Sequence, residues 1–528
     1  MILSGINQTE TAWTKRLIII SGLLISLAFV AAVFYSFPYP YVECDFDSVY
    51  ITNSLSILTD HTVRPNTNPG VTLQWLGTIS IIIGSFFTSG RGIIEKVIAN
   101  HAIFQQLNLA LLSACFVSAM LFYLNSMYNK KDRLLSIALA ACGIAFMFPP
   151  SLPIRTESSA DFMSFIIAIG FIASLTKGRT QKNDIVSALL FALMVYSKII
   201  YLLLGALFFV FDKKTFFRLT IATAAWVIII YLLFWDKRQL GSFIHFMRNY
   251  SVINKAGGSG ISITIEFFGS FFRDNMLQSV YILIMIIFSI LLVFKKKDRV
   301  TGLITFVLIV FLCAMTFVRQ YKAPVYMWTI FPIGIFLLPK VLRQYRKLIV
   351  PATAFIMILF ILTAGKLYGD YSRSRIKRKG ISAHCSECIE LLKETSSTCL
   401  IEYLKHPHRK YSLGQPFWHG NAYAHHEYAG YIKKYIKQAW GLDSYYSFEK
   451  ENKKLSDARA VRSYFSDKKI NILEVIPNTG TLLAIEMEYI PDFKNNFPQL
   501  SLESCKASEL YGISFFKVTK KAIRKDTE

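Results

Sequence analysis

Three carboxylates, Glu43, Asp45 and Asp47, crowd into five residues of "YVECDFDSVY", in a chain where only 17% of residues are charged. A carboxylate at an aqueous margin can take a proton from a hydroxyl and so act as a general base. An acid opening the run "SVYITNSLSIL" would equally cap the free N–H groups of a helix start, so Asp47 fits both roles. A second group, Arg155, Glu157 and Asp161, lies in "SLPIRTESSADF". Ionisable residues next to apolar spans pair with one another or serve a pathway. Cations make the third group: Lys198 in "VYSKIIY", Arg319 and Lys322 in "VRQYKAP", and Arg64 in the loop behind the first acids. Ammonium and guanidinium groups are the usual partners of phosphate.

The elements that must position these groups are membrane spans. The chain has 528 residues, 53% of them hydrophobic. Stretches such as "RLIIISGLLISLAFVAAVFYSF" and "MLQSVYILIMIIFSILLVF" approach the ~20 apolar residues that cross hydrocarbon. The first follows Lys15 and Arg16 with no small-residue cleavage site, and reads as a retained anchor. The net charge of +24 sits in short clusters between apolar runs, "NKKDR", "KGRTQK", "DKKTFFR", "FKKKDR" and "KVLRQYRK". That distribution follows the positive-inside rule and argues against a nucleic-acid partner. Placing the clusters in the cytoplasm gives spans near 16–37, 103–125, 134–150, 161–176, 184–197, 198–211, 216–235, 276–294, 301–318, 325–339 and 348–367. The fold expected is therefore an all-α polytopic membrane domain of about eleven transmembrane helices over residues 1–367. "GVTLQWLGTISIIIGSFF" reads as an interfacial or re-entrant helix within the first outer loop, 38–102. The basic run "RSRIKRK" at 373–379 then falls outside, against the charge rule.

Residues 368–528 form the expected small extracytoplasmic α/β domain, with "TCLIEYL", "NILEVI", "LLAIEMEYI" and "GISFFKV" as strands and "EYAGYIKKYIKQAW" as a helix. Cys385, Cys388, Cys399 and Cys505 there permit one or two disulfides in an oxidising compartment. Cys385 and Cys388 alone make a weak metal motif. The loop 236–275, with "AGGSG" between aromatic stretches, could close over a lipid-linked substrate. In this topology the proton-accepting and phosphate-seeking groups meet on one side of the membrane.

The arrangement resembles the GT-C-fold glycosyltransferases that use polyprenyl-phosphate-linked sugars, among them the lipid A aminoarabinose transferases and the protein O-mannosyltransferases. Members carry an acidic motif after the first span with a tyrosine three residues beyond the second acid, matched by Asp47 and Tyr50, with Asp45 two residues earlier. "NPGVTLQWLG" matches their proline turn and interfacial helix, Glu157 or Asp161 their second-loop acid, "SK" at Ser197–Lys198 their Ser/Thr-Lys, and "RQYKAP" their late basic–aromatic motif. The likeness covers residues 1–367. Phe46 splits the acids, which relatives often place side by side, and Asn68 stands where the aminoarabinose enzymes have a lysine, a role Arg64 could take.

The resemblance implies transfer of a hexose or pentose from a polyprenyl-phosphate donor to a glycan, lipid or protein acceptor of the cell envelope, with inversion. Asp47 or Asp45 is the implied base. Glu157, Asp161 and Tyr50 would orient the acceptor or the lysine. Lys198, Arg319, Lys322 and Arg64 would hold the donor phosphate. Asp45 and Asp47 could also share a divalent cation. The implied place is a bacterial inner membrane with the site facing the periplasm. A polysaccharide polymerase or ligase, and a lipid-linked sugar transporter or flippase, are the competing readings; the internal symmetry common in transporters is not evident here.

Overall fold

Apolar runs bounded by lysine and arginine become helices, and the Val/Ile/Phe-rich runs beyond residue 398 become strands. The computed structural model describes residues 2–36, 47–59, 71–128, 132–150, 160–177, 180–233, 269, 272–318, 327–403, 422–448, 460–463, 469–476, 480–508 and 513–521. The chain divides into two units. Met1–Tyr35, Ser56–Thr78 and Asn108–Ser372 form one; Ser36–Leu55, Ile79–Leu107 and Arg373–Glu528 form the other.

In chain order the helices of the apolar part are α1 (Ile2–Ser36), α2 (Asp47–Thr59), α3 (Val71–Ser85), α4 (Ile93–Ala99), α5 (His101–Met127), α6 (Arg133–Met147), α7 (Ala160–Thr176) and α8 (Gln181–Ser197). A 3-10 segment (Ile199–Val210) follows, then α9 (Lys213–Leu233), α10 (Met276–Val293), α11 (Arg299–Val318), α12 (Phe331–Gln344) and α13 (Ile349–Glu394). Five of these, α1, α5, α9, α10 and α13, contain stretches long and apolar enough to cross a membrane. The other six expected spans coincide with shorter or less apolar helical elements. The 3-10 segment has 12 residues, which reach about 24 Å at its rise where an α-helix would reach about 18 Å. The stretched form lets a short apolar segment cover more of the hydrocarbon depth.

The basic turns are tied to one another within the first unit. Lys15 Nζ lies 5.8 Å from the Tyr128 ring centre, and Lys177 Nζ 5.7 Å from that of Phe122. Arg346 pairs with Asp132 at 2.8 Å, and Lys340 with Asp298 at 3.4 Å. Arg218 meets Asp184 at 2.7 Å. Asp132 also caps α6, accepting from the Leu135 N–H at 3.0 Å. The clusters that charge patterning assigned to one compartment thus form a single rim.

The last helix departs from expectation. A span ending at 367 was expected, yet α13 continues unbroken to Glu394, through the whole basic run. Its 46 residues extend about 69 Å, against the ~30 Å of hydrocarbon. It leads directly into β1 (Cys399–Tyr403). The helix α14 (Ala422–Trp440) then crosses to β2 (Ser444–Phe448), which is parallel to β1. β3 (Ala460–Ser463), β4 (Lys469–Asn471), β5 (Thr481–Glu486), β6 (Leu500–Ser508) and β7 (Ile513–Lys520) complete a seven-stranded sheet of order β4-β3-β2-β1-β5-β7-β6. Among the described strand pairs only β1–β2 and β1–β5 are parallel.

All five residues of β1 are buried, as a central strand covered on both faces requires. Ile401, Tyr403, Leu483, Ile485, Phe493 and Phe516 anchor the core on one face. "NILEVI" corrects the strand expectation: Asn471 ends β4, accepts from the Leu473 N–H at 3.0 Å, and starts the short helix Ile472–Val475. An asparagine cap turned an apolar run away from the sheet. Cys385, Cys388, Cys399 and Cys505 are free thiols, the first three buried.

Candidate functional site

Helix α7 ends and α8 begins at the basic rim, and the Lys198–Asp161 contact brings the start of α7 to the end of α8 at the opposite rim. Asp161 stands in the first turn of α7, and Lys198 follows the last residue of α8. Lys198 has extended backbone angles, φ −155° and ψ 120°. Its N–H donates to Met194 O at 2.9 Å and its carbonyl accepts from the Tyr201 N–H at 3.1 Å. The chain then doubles back as the 3-10 segment, bringing the Phe191 and Phe208 rings to 5.1 Å between centres. A lysine is thereby fixed at the tip of an apolar hairpin.

Lys198 Nζ is ion-paired with Asp161, and the two side chains are only 6% and 7% exposed. Both helix ends favour the arrangement. The α7 N-terminus attracts the carboxylate, and the α8 C-terminus attracts the ammonium. The pair lies about 25 Å along the 17-residue α7 from its basic end.

Parts of the segment 38–102 pack beside this tip. Ile57 at the end of α2 and Val71 at the start of α3 form a small core with Trp75 and Tyr196. Thr72 Oγ1 donates to Leu193 O at 2.9 Å. Next to Asp161, Phe162 and Phe165 hold the fully buried Trp328 ring at 6.4 and 5.9 Å. Apolar and aromatic side chains around the ion pair lower the local dielectric and strengthen the electrostatic interactions made there.

Of the expected site residues, the structure brings Asp161 and Lys198 together. Asp47 and Tyr50 occupy the first turn of α2. Asp45, Arg64, Glu157, Arg319 and Lys322 lie outside the described residues, as does the loop 236–268. Among the described residues there is no group of three His, Cys, Asp or Glu side chains able to hold a metal ion. Tyr201 was not anticipated. It is 1% exposed, and its hydroxyl has no hydrogen-bond partner among the described residues. Its signal was its place three residues beyond Lys198, one turn of a 3-10 helix.

Fold and site together define a polytopic helical membrane protein with a buried acid–lysine pair and a mixed-sheet α/β unit. No protein-family model and no curated protein matches the chain. It is similar to crystal structures of ArnT from Cupriavidus metallidurans, in the apo state and bound to undecaprenyl phosphate, with TM-scores of 0.47 and 0.41. Identities are 9% and 10%, covering 94% of this chain in both and 98% and 97% of the other chains. Overlap at this level establishes no common fold or activity, so the chain's own residues must carry the functional assignment.

Proposed function

We propose that the protein is an integral-membrane glycosyltransferase that moves a sugar from a polyprenyl-phosphate donor to a cell-envelope acceptor on the extracytoplasmic side. One observation carries the reading: the buried Lys198–Asp161 pair, set at the hairpin tip away from the basic rim. A lysine held in an apolar wall at a membrane margin is costly unless an anion needs it. The basic rim faces the cytoplasm by the charge rule, which puts the pair on the far side, in reach of a lipid-linked substrate.

In the mechanism that follows from these roles, the donor phosphate displaces part of the Asp161 contact and accepts from the Lys198 ammonium. Asp161 keeps that ammonium oriented. Asp47 or Asp45 takes the proton from the acceptor hydroxyl, whose oxygen bonds to the anomeric carbon as the bond from that carbon to the phosphate oxygen breaks. Polyprenyl phosphate leaves with the bonding electrons, and the anomeric configuration inverts. Arg64, Arg319 and Lys322 share the departing charge, an electrostatic contribution that grows as negative charge gathers on the leaving oxygen. Glu157 and Tyr50 orient the acceptor.

The test is mass spectrometry of cell-envelope glycans, lipids and proteins from cells with and without the protein. The expected result is one missing hexose or pentose, restored by the wild-type chain and not by a normally inserted Asp47→Asn variant if Asp47 is the base, nor by Asp45→Asn if Asp45 is. Unchanged glycosylation on deletion, or full restoration by the Asp45→Asn/Asp47→Asn double variant, overturns the proposal.

A further inference from the structure

Within the second unit a cavity of about 410 Å³ opens between the segment leading into α4 and one face of α14. That volume falls in the range of about 300–1,000 Å³ typical of small-molecule clefts. One wall carries Arg91 and Glu95; the other carries Tyr431, Lys434, Tyr435 and Gln438. The spacing of those four residues, three, one and three apart, places them on one face of α14. Ile432, Ile436 and Trp440 on the other side are buried.

The cavity is built from specific contacts. Glu95 accepts from Lys434 Nζ at 2.8 Å and from the Arg91 N–H at 3.3 Å. The Lys434 hydrogen bond is the main cause of a Glu95 pKa below the usual carboxylate value, so this acid is ionised at neutral pH. Gly90 has φ +147°, and a Cβ there would fall 2.9 Å from the Lys96 side chain. Only glycine lets the turn before Arg91 take this course. Lys96 Nζ in turn donates to Ser85 O at 2.7 Å, pinning the segment.

Lys434 pairs with Glu95, whose other oxygen accepts from the Arg91 backbone N–H, so the Arg91 guanidinium adds a second cation and the lining carries a net positive charge. Two tyrosines and a glutamine complete the lining. Tyrosine rings offer flat faces for the C–H surface of a sugar ring and hydroxyls for its polar edge. Guanidinium, ammonium and amide donors match ring hydroxyls and carboxylates. The surplus cation selects a negative group.

We propose that this cavity binds an anionic saccharide, a glycan bearing a carboxylate or phosphate. As a saccharide site it stands on its own lining. The contact between α4 and α14 also requires that residues 89–99 and 431–438 share one side of the membrane. An even number of crossings then separates them, a condition met by the ten spans expected between 103 and 367.

The test is titration of the purified full-length protein in lipid nanodiscs with digalacturonic acid, maltose and inorganic phosphate, followed by saturation-transfer NMR. Digalacturonic acid should bind at least about tenfold more tightly than maltose or phosphate, the effect of one charge-assisted hydrogen bond. Arg91→Gln and Tyr431→Ala should each weaken it about tenfold, with Arg91→Lys recovering part of the loss. Lys198→Met should keep this binding intact while losing transfer, which separates failure of this site from failure of the transferase reading. No binding of digalacturonic acid, binding unchanged in both variants, or phosphate binding as tightly as the disaccharide overturns the proposal. A common thermal midpoint for wild type and variants shows that the losses are not unfolding.

Discussion

Replacing Lys198 by methionine, Asp161 by leucine, and both together separates structure from chemistry at the hairpin tip. The pair is buried on both sides, at 6% and 7% side-chain exposure. Removing one partner of such a buried pair takes the nearest opposite charge from the other and costs about 3–5 kcal/mol. The helix ends return about 0.3–1 kcal/mol to the remaining group, because the carboxylate faces an N-terminus and the ammonium a C-terminus. Each single variant should therefore lose roughly 2–5 kcal/mol. The double variant replaces the pair with apolar groups of similar bulk and should return to within about 1 kcal/mol of wild type.

The cycle is read by denaturant unfolding of the protein in detergent, alongside transfer from a polyprenyl-phosphate sugar. If Lys198 holds the donor phosphate, the double variant recovers stability and stays inactive. Recovery of transfer in the double variant would make the pair a structural staple and refute the catalytic reasoning. Single variants as stable as wild type would refute the burial argument.

Three further outcomes follow. Gly302 lies where a Cβ would sit 2.5 Å from Ser289 O and Val293 N, backbone atoms of α10; Gly302→Val should push α10 and α11 apart and cost about 1–3 kcal/mol, and an unchanged thermal midpoint would contradict that packing. Tyr201→Phe removes a buried hydroxyl without a partner among the described residues, so it should leave the thermal midpoint equal or higher, yet weaken inorganic phosphate binding if the hydroxyl serves the ligand of Lys198. Cys505 is partly exposed whereas Cys385 is 0% exposed, so an impermeant maleimide should label Cys505 in intact spheroplasts; labelling only after the bilayer is breached would invert the topology.

Sequence by itself determined the elements. Long apolar runs framed by Lys and Arg had to become helices, because hydrocarbon satisfies no backbone group and only a helix satisfies its own. Charge clustering placed the turns that Arg346–Asp132, Lys340–Asp298 and Arg218–Asp184 now join. "TCLIEYL", "GISFFKV" and the first half of "LLAIEMEYI" announced strands through runs buried on both faces, whereas Met487–Tyr489 turns into a 3-10 helix and Ile490 begins an α-helix. "SYYSF", "AVRS", "KIN" and the edge strand "LSLESCKAS" went unread, since strands towards the sheet's edge carry little apolar pattern. Only the tertiary structure decided which charges meet. Lys198 and Asp161 are 37 residues apart, and Lys434 and Glu95 are 339 apart. Hydrophobic period fixes what each segment buries, whereas the partner of a buried charge depends on the chain's path between segments, which no local pattern encodes.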